Sequence, residues 1–114
     1  MPLDYMKLAI VFLHKSEYLE ELLSMFLEIG VTGATVLDSV GMGHIISENI
    51  PIFAGLRDAF AGSSPGRKII MAITEEEMIE RMYHALDEVC NSESDKKTSF
   101  LISLPIDKIY GLNI

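Results

Sequence analysis

The side chains that most often bind metals or act as nucleophiles are few and scattered in this sequence. The three histidines, His14, His44 and His84, fall on different predicted elements and have no partner four residues away, which favours structural or solvated roles over a metal site. Cys90, the one cysteine, ends an apolar helix stripe, so a small buried hydrophobic role is favoured over a reactive thiol. With no triad-like grouping, P-loop or dinucleotide fingerprint, the sequence predicts no catalytic site and we expect no enzyme activity.

Charged residues offer two further candidates for binding chemistry. The run Glu75–Glu77 can be interpreted as a cation site, but the positive end of a helix dipole also explains carboxylates at a predicted helix start. Arg57 and Arg67 are the only arginines of a long glycine-punctuated stretch, and either can pair with a phosphate or with one of the many carboxylates.

Length, composition and charge limit the class of protein. The 114 residues predict a single domain over 1–114, and 49% hydrophobic with 23% charged residues indicates a folded core. A net charge of -8 and a pI near 4.7 argue against nucleic acid or anionic membranes as partners. No apolar run approaches the ~20 residues that span a bilayer, so no membrane insertion is expected. The single cysteine and the absence of a leader pattern predict a cytoplasmic protein.

Four strand-like segments alternate with two helical patterns. The strands are predicted at 7–13, 31–40, 68–73 and 98–104. The first helix is predicted to be capped by Ser16 and to end at Gly30, where a left-handed residue is favoured. Thr74 and Glu77 match a capping box, which predicts the start of the second helix.

The order of these elements predicts the fold class. Two β-α-β units with right-handed crossovers give an α+β, ferredoxin-like βαββαβ sandwich, in which both helices cover one face of a four-stranded antiparallel sheet. The other face is left bare, yet the strands supply apolar residues to both faces. Since monomers seldom expose a large apolar patch, we expect the chain to form an oligomer.

The stretch between the second and third strands, about 43–67, is predicted to be a long loop. Loops of this length in small domains are usually functional or mobile. Residues 52–60 can form either a short helix or an edge segment, and in a helix Phe53, Leu56 and Phe60 would share one side. These apolar residues either cover an interface or form a surface that docks a partner.

Over nearly its whole length the chain resembles the P-II nitrogen-regulatory signalling proteins, and three segments carry the resemblance. The segments are Gly30-Val31-Thr32-Gly33-Ala34-Thr35-Val36, Gly41-Met42-Gly43 and Leu104-Pro105-Ile106-Asp107-Lys108-Ile109. The loop segment from Pro51 to Arg57 is similar to that of a compact P-II-like subgroup.

The resemblance implies a homotrimeric signal-transduction protein that binds a small effector in clefts between subunits, with an adenine nucleotide as the first candidate. It implies that the loop at about 43–67 regulates a protein partner. The partner contacts implied within the loop are Phe53, Leu56, Arg57 and Phe60. The effector-binding residues that it implies are Gly33, Ala34, Thr35, Gly41, Met42, Gly43, Lys96 and Lys97.

Departures from the family pattern leave alternatives open. The segment 92–98 contains no glycine and carries Glu93 and Asp95, which oppose close approach of a triphosphate. A smaller nucleotide, another anion or no ligand therefore remain alternatives to ATP. The rival function is a metal-binding or metal-tolerance trimer of similar fold, which would use His44 and Met42.

Overall fold

The structure, a computed structural model, describes residues 5–42, 45, 67–91 and 99–112. Its elements in chain order are β1 (Met6–Leu13), a short 3-10 helix (Ser16–Tyr18), α1 (Leu19–Ile29), β2 (Ala34–Asp38), β3 (Lys68–Glu75), α2 (Glu76–Cys90) and β4 (Phe100–Pro105). The predicted residues that lie outside the described ones are Gly43, His44, Phe53, Leu56, Arg57, Phe60, Lys96 and Lys97.

The four strands form one sheet in the order β2-β3-β1-β4, and each neighbouring pair is antiparallel. Strands β1 and β2 are therefore parallel with β3 between them, as two interleaved β-α-β units require. This topology confirms the predicted ferredoxin-like βαββαβ class. Within the described ranges, no helix is long and apolar enough to cross a membrane.

Side chains alternate between two faces of the sheet, and helices α1 and α2 cover only one of them. On this helix-covered face, Ala9, Val11 and Leu13 of β1 and Ile70 of β3 are fully buried. The helices contribute their apolar stripes to the same core, with fully buried side chains at Leu22, Met82 and Leu86 and a nearly buried Phe26. Burial of these side chains is the main stabilising contribution to the fold.

The opposite face, which we call the open face, is also apolar. The strand registers place on it ten large apolar residues, which are Leu8, Ile10, Phe12, Leu37, Ile69, Met71, Ile73, Phe100, Ile102 and Leu104, together with Met6, Thr35 and Glu75. Ile73, Ile102 and Leu104 remain 40–43% exposed. Phe12 and Phe100 stack on each other with ring centroids 4.6 Å apart. One covered and one open apolar face is the arrangement that the strand composition predicts.

Gly30 ends α1 as predicted. Its φ of 109° is left-handed, its N–H donates to the Leu27 carbonyl at 3.1 Å, and the Val31 N–H donates to the Phe26 carbonyl at 2.8 Å. These two bonds define a Schellman turn, and the burial of both Val31 and Phe26 supplies the apolar contact that accompanies it.

Both predicted N-caps are wrong. Ser16 belongs to the 3-10 helix, so α1 begins only at Leu19 and has no side-chain cap. Thr74 is paired with Lys7 inside β3, because the ladder with β1 continues to Glu75, and Glu75 itself precedes the first residue of α2. The second strand is also shorter than predicted, since Val31 is a core residue and pairing starts at Ala34.

Candidate effector-binding groove

A groove of about 830 Å³ opens beside β2, largely on the open face. The segment Thr32–Thr35 forms one wall. The other lining residues, all apolar, are Met6, Leu8, Leu37, Met71, Ala72, Ile73 and Leu112. The polar groups that the described walls offer are the hydroxyls of Thr32 and Thr35 and the backbone around Gly33. Such a site suits a small molecule with a flat apolar part and a few hydrogen-bonding edges.

The β2 wall is positioned by the turn that ends α1. Val31 is buried in the core immediately after the Schellman turn, and the following residue, Thr32, already lines the groove. Pairing of Thr35 with Met71 in β3 then fixes the register of the wall against the floor. The sequence Gly30 to Thr35 thus connects the hydrophobic core directly to the groove.

Gly33 keeps one part of the groove open. Its φ is not in the left-handed region, and a Cβ placed on it would have no heavy atom within 4 Å. The backbone therefore does not require glycine at this position. A large side chain at 33 would instead occupy open space where this residue lines the groove.

Leu112 reaches the groove from the far edge of the sheet. Strand β4 ends at Pro105, which pairs with Lys7 of β1. Residues 106–112, which we call the C-terminal strap, then bring Leu112 to the groove, where it joins the lining. Three strand spacings amount to about 14 Å and seven extended residues reach about 23 Å, so the strap is long enough to cross the end of the sheet.

The groove walls carry no charged side chain among the described residues. A neighbouring depression of about 520 Å³ is acidic instead, lined by Tyr5 and Glu75–Glu77. There a hydrogen bond with Glu77 and the charge of that carboxylate raise the pKa of Glu75. Because Glu75 pairs with Met6, a groove residue, these carboxylates oppose a ligand anion at this end.

The base of the long loop lies at the opposite end of β2. Asp38 and Lys68, the last and first residues of the paired strands, form an ion pair. One residue further on, the Ser39 N–H donates to the Arg67 carbonyl at 3.1 Å. These contacts hold together the two ends of the loop that carries the predicted partner residues.

The predicted effector residues are therefore only partly brought together. Gly33, Ala34 and Thr35 line the groove, whereas Gly41 and Met42 lie beyond the other end of β2. Gly41 is six residues beyond Thr35, so the two are separated by at most about 20 Å. The Gly41 carbonyl accepts the Ile45 N–H at 3.2 Å, and the Met42 side chain is 72% exposed.

A polar cluster anchors the two ends of segment 92–98. The Asn91 side-chain amide donates to the Ser99 carbonyl at 3.3 Å, and the Ser99 hydroxyl accepts the His14 backbone N–H at 2.9 Å. Burial raises the pKa of the Cys90 thiol to about 11, and a hydrogen bond with Ser99 offsets only part of that rise. Cys90 also packs against the core, so its predicted role as a small hydrophobic residue agrees with the structure.

His14 lies near the loop base as well. Burial lowers the pKa of its imidazole, and the positive charges of Arg67 and Lys15 lower it further. Across the described ranges, no three His, Cys, Asp or Glu side chains are grouped as a metal site would require. The residue on which the metal alternative depends, His44, is outside those ranges.

Several groove residues were missed by sequence reasoning. Met71 and Ile73 are recognisable in retrospect from strand alternation, since they fall on the face that the helices do not cover. Leu112 carries no comparable signal, because it follows the last strand in a segment without periodicity.

No family model matches the sequence. No curated protein matches it at a significant level. Among solved structures, the chain is similar to a functionally unknown protein from Pediococcus pentosaceus, with a TM-score of 0.63 and 18% identity over 96% of this chain and 99% of that one. It is also similar to Arabidopsis thaliana PII bound to citrate, with a TM-score of 0.60 and 15% identity over 90% of this chain and 78% of that one. The chain therefore has a P-II-like fold, which confirms the resemblance at the level of architecture.

Proposed function

We propose that the chain is a P-II-like regulatory protein that acts by binding and not by catalysis. Its homotrimer would bind a small effector in clefts between subunits and regulate a protein partner through the loop at about 43–67. The observation that carries the proposal is the groove beside β2, which contains Gly33, Ala34 and Thr35 in a P-II-like fold. The similar Arabidopsis thaliana protein is bound to citrate, a small-molecule ligand.

The open face supports the proposed trimer. Ile102 and Leu104 of β4 and Leu37 of β2 leave 40–44% of their surface exposed, although their neighbours on the same face are also apolar. Copies of the chain that pack on this face would remove that surface from water. This burial would stabilise the assembly by roughly 25 cal/mol for each Å² of apolar surface. Because the groove opens largely on the same face, a neighbouring subunit would also complete its walls.

An adenine nucleotide is the first effector to test. The apolar walls fit a heteroaromatic ring, while the Thr35 hydroxyl and the backbone at Gly33 and Ala34 can pair with its edge. The phosphates of such a nucleotide require cationic side chains, which the described walls lack. We assign this role to Lys96 and Lys97. Strands β2 and β4 are opposite edges of the sheet, so Ser99 lies about 14 Å across from β2. That separation favours lysines donated by a neighbouring subunit.

Within the loop, we assign the partner contacts to Phe53, Leu56, Arg57 and Phe60. Apolar and arginine side chains of this kind dominate the energetics of many protein interfaces. The ion pair between Asp38 and Lys68 and the hydrogen bond between Ser39 and Arg67 connect the loop base to β2, which forms the groove wall. Effector binding beside β2 can therefore change the loop through this strand.

Calorimetry with ATP, ADP, AMP, adenosine and citrate tests the effector, using protein concentrations well above micromolar. We expect at least one adenine compound to bind wild type, and Gly33→Phe to abolish that binding by filling the groove. Gly33→Ala is the matched control, since one methyl group meets open space and should change the affinity less than threefold. Silence of wild type across all adenine compounds would refute the nucleotide proposal.

A further inference from the structure

The groove lies between two ends of the sheet that carry opposite charge. At the end where β1 stops and β3 begins, Lys15 and Arg67 are close enough to His14 for their positive charges to lower the pKa of its imidazole, in addition to the effect of burial. At the other end, the run Glu75–Glu77 lines the acidic depression. Strand β3 has 8 residues, so about 23 Å separates its two ends. A ligand in the groove therefore has cations beyond one end and carboxylates beyond the other.

Glu75 adjoins the groove on the open face. It pairs with Met6 and follows Ile73 by two residues along β3, and both of these neighbours line the groove. Two residues of a strand span about 7 Å. A ring that packs against Ile73 can therefore bring its outer edge to the Glu75 carboxylate. Lys7, the cation at this end of β1, lies on the helix-covered face, since it alternates with Met6 along the strand.

We infer that Glu75 selects an effector with an amino group on its ring, by accepting a hydrogen bond from that group at the acidic end of the groove. The inference deepens the proposed function and rests on it for the site. An ionised carboxylate only accepts hydrogen bonds, so it stabilises an amine and repels a ring oxygen in the same place. Adenine carries its amine on the six-membered ring, remote from the ribose. The phosphates of the same molecule can then point toward the cations at the loop base.

Calorimetry at pH 8 with adenosine and purine riboside tests the contact. The two probes differ only in the ring amine, and neither carries a phosphate, so repulsion of an anion does not contribute. This pH keeps Glu75 ionised, although a hydrogen bond with Glu77 raises its pKa. We expect wild type to bind adenosine about tenfold more tightly than purine riboside, the effect of a hydrogen bond to a charged group. Equal affinities of wild type for the two nucleosides would overturn the inference.

Two variants assign the discrimination to one carboxylate. Glu75→Ala should bind the two nucleosides within twofold of each other, whereas Glu76→Ala, the matched control, should keep the tenfold preference. Glu76 lines the same depression and carries the same charge, but it begins α2 and is not part of the sheet. Both side chains are exposed, so both variants should fold.

The outcomes separate the inference from the proposed function. A tenfold preference that survives in Glu75→Ala would overturn the inference and leave the effector site intact, because Gly33→Phe tests that site separately. Silence of wild type toward adenosine and AMP would refute the nucleotide and the Glu75 contact together.

Discussion

The two faces of the sheet have similar side chains and opposite surroundings. In β1, Ala9, Val11 and Leu13 are fully buried beneath the helices, whereas Leu8, Ile10 and Phe12 alternate with them on the open face and are only partly buried. A strand that is apolar on both faces is typical of a sheet covered on both sides. Among the described residues, the helices therefore cover one apolar face, and the proposed assembly would cover the other.

The largest expected effect is the loss of folding stability when a side chain on the helix-covered face is truncated, compared with one on the open face. Leu86→Ala, which truncates a fully buried side chain under the helix-covered face, should lower the free energy of unfolding by about 2–5 kcal/mol. Leu104→Ala on the open face should cost less than about 1 kcal/mol in a dissociated subunit, because Leu104 is already 43% exposed there. Urea denaturation at several protein concentrations measures both. Equal losses in dissociated subunits would mean that the open face is covered within one chain.

The reactivity of a thiol in the core, compared with that of a thiol introduced on the open face, tests how well each site is shielded from solvent. With a pKa of about 11, Cys90 should react with iodoacetamide at pH 8 on the order of 100-fold more slowly than an exposed thiol with the ordinary pKa of 9. Leu104→Cys, placed in a Cys90→Ala background, should react at an ordinary rate in dissociated subunits and more slowly as protein concentration rises. Because folding raises the Cys90 pKa from 9 to about 11, the stability linked to this thiol should be lost as the pH rises through that interval. A fast-reacting Cys90 in the folded protein would contradict the assigned burial.

A charge on each face tests the proposed assembly. Ile102→Asp should weaken subunit association by about 30-fold or more, since it puts a carboxylate on the open face midway along the edge strand β4, while circular dichroism should show a retained fold. Val36→Asp is the matched control: Val36 is 38% exposed against 40% for Ile102, but its side chain lies on the helix side of β2. Sedimentation equilibrium measures both variants. Wild type that sediments as a monomer would refute the trimer.

The smallest effect separates two glycines that are three residues apart. Gly30→Ala should lower the free energy of unfolding by about 1–2 kcal/mol, because alanine is strained at a φ of 109°. Gly33→Ala should change it by less than about 0.5 kcal/mol, since its backbone is ordinary and its surroundings are open. Thermal unfolding of the two variants side by side provides the measurement. A loss at Gly33 as large as at Gly30 would show that position 33 serves the fold and not the groove.

The architecture could be predicted from the sequence because local patterns specified each element. Strand composition, the helix stripes and the turn at Gly30 agree with one another, and the element order then permits few topologies. The N-caps at Ser16 and Thr74 were wrong because pairing and packing overrode the capping preference, as in β3, where the ladder continues through Thr74 to Glu75. Propensity at one residue is a weak signal against a continuous strand ladder.

The groove could be predicted only on its β2 side. Gly33, Ala34 and Thr35 were found through the resemblance to P-II proteins, which extends along this strand. The apolar residues across the groove depend on which face the helices leave open, and Leu112 depends on the path of a segment that has no regular structure. Long-range placement of this kind is set by tertiary contacts and leaves no local periodicity in the sequence.

The Schellman turn at Gly30 and Val31 also gives the two sides of the groove different lifetimes. Opening the β2 wall requires Val31 to leave the hydrophobic core, so this wall should persist for as long as the domain stays folded. The C-terminal strap, whose Leu112 is half exposed, should move on the nanosecond to microsecond scale of exposed segments. A ligand would then meet one wall that is always formed and one that comes and goes.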